Sequence, residues 1–96
     1  FNQGKRSHLH FYRDSKGNEV DLLLVTGATF FPIEIKAGMT ITGDYFKGLR
    51  HFANLFPDRI PQGCGLVYGG EEAQKRSGAT IVPLAQLPDL LEQFNR

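Results

Sequence analysis

The sequence has little of what marks a specialised chain. A single cysteine, Cys64, excludes an internal disulfide framework, and its neighbours Gly63 and Gly65 offer no group that would activate the thiol. Charge of either sign is not in excess. Eleven Lys and Arg against ten Asp and Glu leave +1, which excludes a polybasic tail and confines any nucleic-acid face to a local patch. The longest apolar run, from Val20 to Val25, is broken by Asp21 and falls far short of the roughly 20 residues that cross a bilayer. Neither a membrane span nor a signal peptide is expected, and a reducing, cytoplasmic setting fits best. Repeats, low-complexity stretches and linkers are missing, as is any Gly-x-x-x-x-Gly-Lys-Ser/Thr, so ATP hydrolysis cannot be assigned to these residues. The only methionine is Met39 and the chain starts at Phe1, so a piece of a longer polypeptide is expected.

What is present is ordinary globular material: 96 residues, 41% apolar and 22% charged, enough for one domain over 1–96. Residues 7–13 carry strand formers and stop at the turn cluster Asp14-Ser15-Lys16-Gly17-Asn18. Residues 19–26 and 29–36 flank Gly27-Ala28, completing an antiparallel meander. The period then changes. Tyr45, Phe46, Leu49, Phe52, Ala53 and Phe56 recur at helical spacing, with Thr42 as N-cap and Pro57 as stop. Short strands are expected at 65–69 and 79–83, and Leu87, Leu90, Leu91 and Phe94 mark a last helix. The expected class is α/β (α+β): a central mixed sheet with flanking helices, in the order β-β-β-α-β-β-α, with the long helix carrying the crossover between the third and fourth strands.

Side chains alternate along a strand, so Glu34 and Lys36 share one face of the third segment while Ile33 and Ile35 take the other. A Glu-x-Lys tripeptide by itself is common. The register adds information: a two-residue turn at Gly27-Ala28, glycine first, makes opposed residues sum to 55. Asp21 then stands across from Glu34, and Glu19 across from Lys36. Two carboxylates about 5 Å apart repel by roughly 3 kcal/mol at an effective dielectric near 20. Lys36 offsets part of this, and Mg²⁺ or Mn²⁺ would do so better, since Mg²⁺ is held by one or two carboxylates with phosphate oxygens and water. The ordinary alternative is a charge ladder on an exposed sheet face.

An Asp on one strand followed by Glu-x-Lys on the next resembles the PD-(D/E)XK nuclease superfamily, whose fold is restriction-endonuclease-like. The runs Phe11-Tyr12-Arg13, Gly17-Asn18-Glu19-Val20-Asp21-Leu22, Pro32-Ile33-Glu34-Ile35-Lys36-Ala37-Gly38 and Phe46-Lys47-Gly48-Leu49 further resemble the C-terminal domain of unknown function of prokaryotic AAA-type ATPases. The resemblance implies Asp21 and Glu34 as metal ligands with the Ile35 carbonyl as a third, Lys36 as the catalytic lysine, and Glu19 and Lys47 as accessory residues. It also implies nucleic acid, DNA foremost, and an N-terminal ATPase domain of the same chain as partners. Val20 stands where the family's Pro-Asp has proline, and no helix precedes the first strand to supply a further acidic residue.

Other signals have plainer readings. His8 and His10 share a face without a third ligand at useful spacing. Lys47, Arg50 and His51, with Arg13 and Lys16, form a polar surface able to meet phosphates. Tyr45, Phe46, Phe52 and Phe56 are expected in the core rather than stacked on bases, and Gly48 in mid-helix implies close packing against the sheet.

Overall fold

Gly27 sets the N-terminal half. Its φ of +60° lets the chain reverse within two residues, and the strands on either side pair as Leu22 with Ile33, Leu24 with Phe31 and Thr26 with Thr29, each summing to 55. The computed structural model of the chain describes residues 7–76 and 78–94. In it β1 (Ser7–Arg13), β2 (Glu19–Thr26) and β3 (Thr29–Ile35) form the expected meander. Between β1 and β2 the register slips. His10 pairs with Leu23 but Tyr12 pairs with Val20, so Phe11 stands opposite two residues, Asp21 and Leu22. This is a β-bulge in β2, and it changes which face the preceding residues occupy.

After β3 the chain forms a 3₁₀ turn, Gly43–Phe46, that runs into α1 (Lys47–Leu55). Thr42 does cap this segment, but through its backbone: its carbonyl accepts from Tyr45 N–H at 3.1 Å and its hydroxyl makes no cap bond. Pro57 follows the C-cap Phe56, as expected. The chain continues through β4 (Cys64–Tyr68), β5 (Gln74–Arg76), β6 (Ala79–Pro83), a 3₁₀ turn at Leu84–Gln86 and α2 (Leu87–Phe94). The extra strand corrects the sequence reading. Its three residues are all polar and exposed, so it lacks the apolar signal by which a strand is recognised.

The six strands form one mixed sheet in the order β1-β2-β3-β4-β6-β5. β3, β4 and β6 run parallel, and α1 lies in the crossover from β3 to β4. Neighbouring residues of the inner strands part to opposite faces. Leu66 and Ile81 pack with Phe46 and Leu49, and Val20 and Leu23 with Phe52, which places α1 on that face. Val67 and Val82 pack with Leu24, Phe31, Ile33 and Leu90, which places α2 on the other. The side chain of Phe94 lies outside the described residues. Among the described residues no helix is long and apolar enough to cross a membrane.

The expected aromatic core is present. Phe52 is 1% exposed and meets Tyr12 edge-on at 5.0 Å between ring centroids, Phe30 at 5.7 Å and Phe56 at 4.9 Å. It joins β1, β3 and the end of α1 in one contact. Phe52→Ala is therefore expected to lower the unfolding free energy by about 3–5 kcal/mol in urea denaturation. A loss below about 1 kcal/mol would mean that α1 is not held through this ring.

Candidate functional site

The bulge positions Asp21. Beyond the Leu22–Ile33 pair the backbone ladder between β2 and β3 gives way to side chains. Asp21 N–H donates to Glu34 Oε1 at 3.2 Å, and Ile35 N–H donates to Asp21 Oδ2 at 2.8 Å. Each carboxylate thus takes the place of a carbonyl on the opposite strand, which brings the two acids together as the register implied. Lys36 lies just past β3, with its N–H on Val67 O at 2.8 Å and its Nζ 4.0 Å from Glu34 Oε2. Its ammonium also sits 5.8 Å from the Tyr45 ring centroid.

Glu34 is 7% exposed, the one charged residue among the buried polar set. The cover is Gly48 of α1. A Cβ at that position would stand 2.8 Å from Glu19 O and 2.9 Å from Glu34 Oε2, so only glycine lets the helix lie this close. Burial raises the Glu34 carboxyl first, and the adjoining Asp21 carboxyl raises it further. Asp21 N–H and Lys36 pull the other way without prevailing, and the group is pushed up to about 7. Near neutrality the two carboxyls therefore share a proton, which removes much of their repulsion.

The other residues singled out by sequence are placed differently. Glu19 does not face Lys36. The bulge shifts it out of phase, and it pairs with Arg13 at 3.5 Å on the exposed edge of the sheet. Lys47 is the first residue of α1 and exposed, opening onto a cleft on the outer side of the helix with no ion pair to a described residue. His8 and His10 have ring centroids 6.3 Å apart and are exposed. Among the described residues no three His, Cys, Asp or Glu side chains gather where a metal would sit. Asp21 and Glu34 form a pair, which with a backbone carbonyl is a hard-oxygen donor set of the kind Mg²⁺ uses. Cys64 is buried, and burial pushes its thiol up to about 11, so it is unreactive at neutral pH.

One pair escaped the sequence reading. Asp14, recognised there only as a turn former, accepts from the backbone N–H groups of Lys16 and Asn18 and from the Asn18 amide. It also meets His51 Nε2 of α1 at 3.0 Å. Burial works against its ionisation, but these hydrogen bonds outweigh it and hold the carboxyl down at about 2. As an anion it can only accept, so His51 Nε2 carries the proton. The residues lie 37 apart, and no local pattern announces the contact.

The model of a family described as "Domain of unknown function (DUF4143)" matches residues 1–87. No curated protein and no solved structure matches the chain.

Two outcomes test the buried carboxyl. Gly48→Ala should destabilise by about 1–3 kcal/mol in spite of alanine's higher helix propensity, because a backbone oxygen cannot move aside. Stability should also fall as pH rises from about 4.5 to about 7, since over that window the folded state holds a Glu34 proton that the unfolded state has lost. Denaturation of Glu34→Gln across the same range should show this slope removed. A slope unchanged in the variant would place the titration elsewhere.

Proposed function

The chain belongs to the family described as a domain of unknown function, DUF4143, and on that premise we propose that it is a PD-(D/E)XK nuclease-like domain of restriction-endonuclease-like fold, accompanying an ATPase. In this reading it engages nucleic acid, DNA foremost, and hydrolyses phosphodiester bonds with Mg²⁺ or Mn²⁺. The observation that carries the reading is the meeting of Asp21 and Glu34 through the bulge, with Lys36 4.0 Å from Glu34 Oε2.

The donor set fits a hard divalent cation. Asp21, Glu34 and the Ile35 carbonyl would hold it, and when bound it would supply a water of lowered pKa and a counter-charge for phosphoryl oxygens. The chain's own groups supply the rest. Glu34 gives up its proton when a cation arrives, so binding releases a proton and tightens as pH rises through about 7. Lys36 stands beside the pair with a half-buried ammonium, where it orients the attacking oxygen and offsets charge building on the phosphoryl group. Tyr45, beneath the lysine, limits where that ammonium can go.

One observation favours a second reading, a non-catalytic docking module of an ATPase that keeps the nuclease fold. Glu34 is buried under Gly48 and already neutralised by a shared proton, which is also how a purely structural acid pair is stabilised. Metal binding separates the two readings. Calorimetric titration with Mn²⁺ should show binding in the wild type that disappears in Asp21→Asn. Asp21→Ala and Lys36→Ala should each abolish Mn²⁺-dependent cleavage while circular dichroism stays that of the wild type. Absence of Mn²⁺ binding in the wild type, or cleavage retained in either alanine variant, would favour the docking module.

A further inference from the structure

The cleft outside α1 is built from parts that the carboxylate site does not use. Its volume is about 590 Å³, and it lies between the β1–β2 turn, represented by Asn18, and one stripe of the helix. That stripe is Lys47, Arg50, His51 and Asn54, at positions i, i+3, i+4 and i+7. All four are hydrogen-bond donors, two carry full positive charge and none is acidic. The opposite side of the same helix carries Gly48, Leu49 and Phe52 into the sheet, so the stripe is held rigidly.

The electrostatics are one-sided. Among the described residues, no carboxylate pairs with Lys47 or Arg50. Arg50 donates Nη2 to Gly43 O at 3.1 Å and lies 5.9 Å from the Phe46 ring centroid, which fixes its guanidinium while leaving other N–H groups directed elsewhere. His51 is set by Asp14, and that anion is already occupied by the N–H groups of its own turn. Asp44, at the rim, is the one acidic residue lining the cleft. From Lys47 to Asn54 the helix rises about 10 Å. One strand of nucleic acid presents a phosphate about every 3.4 Å of axis, so the stripe matches about three consecutive phosphates rather than a lone anion.

We propose that this cleft binds the phosphodiester backbone of a nucleic-acid strand, through Lys47 and Arg50 as charge contacts and His51 and Asn54 as neutral donors. The site reads no bases, because every group named is one that contacts phosphate and the aromatic rings of α1 are turned into the core. It rests on the nuclease-like reading only for the identity of the polyanion. It lies on the other side of Gly48 from Glu34, and so it works without a metal.

The test is fluorescence anisotropy of a short labelled single-stranded DNA with the full chain in EDTA, over a range of salt. Wild type should bind with a log–log salt slope that flattens by about 1.4 in the Lys47→Ala/Arg50→Ala double variant, about 0.7 for each lost phosphate contact. Affinity of that variant should drop at least about ten-fold at low salt. Asp21→Asn should bind as wild type, which separates this site from the carboxylate pair: a failed Mn²⁺ titration does not touch it. Absence of binding in the wild type, or equal affinity and slope in the double variant, would overturn the proposal. Full competition by inorganic phosphate at concentrations matched in ionic strength by chloride would overturn it too, in favour of a lone-anion site.

Discussion

A carboxyl group under a helix is tolerable only if something answers its desolvation, and the arrangement around Glu34 follows from that constraint. The bulge in β2 turns Asp21 toward Glu34, the Asp21 N–H leaves the ladder to donate to it, Lys36 stands near, and Gly48 lets α1 close the space. Remove any of these and the others lose their reason. A side chain at Gly48 would lift the helix, and without the bulge Asp21 would continue an ordinary ladder.

The same constraint joins stability to chemistry. A pair of acids sharing one proton is a cation site in which the proton stands in for the cation, and the energy that would hold a metal is, in its absence, held by the proton. Leu23 and Phe52 beside it keep the surroundings apolar, so both forms of the pair feel each other strongly. The hydrophobic packing that places α1 is therefore also what sets the acidity of Glu34.

Much of this was legible in the residues. Gly27-Ala28 between two alternating runs implied the register, and the register implied that Asp21 and Glu34 meet. Helical spacing placed Phe46, Leu49 and Phe52 in the core, and Gly48 against the sheet. Extending the register to Glu19 and Lys36 failed, because a bulge depends on how β1 pairs with β2 and leaves no mark in the β2–β3 hairpin from which the count was made. β5 was missed because an exposed three-residue strand has nothing to alternate. The Asp14–His51 contact joins a turn to a helix across 37 residues, and only the packed fold brings it about.

The two margins of the sheet are unlike. β5 ends it with Gln74, Lys75 and Arg76, short and charged, the kind of margin that discourages another strand from adding on. β1 ends it with seven residues whose outward face carries exposed Leu9 and Phe11, with no charge before Arg13. The molecule is thus polar in a sense separate from its chain direction: the sheet is sealed at one side and open to extension at the other. Any growth of it by a neighbouring segment would proceed from β1 and stop after one addition, since the far margin offers no second place to begin.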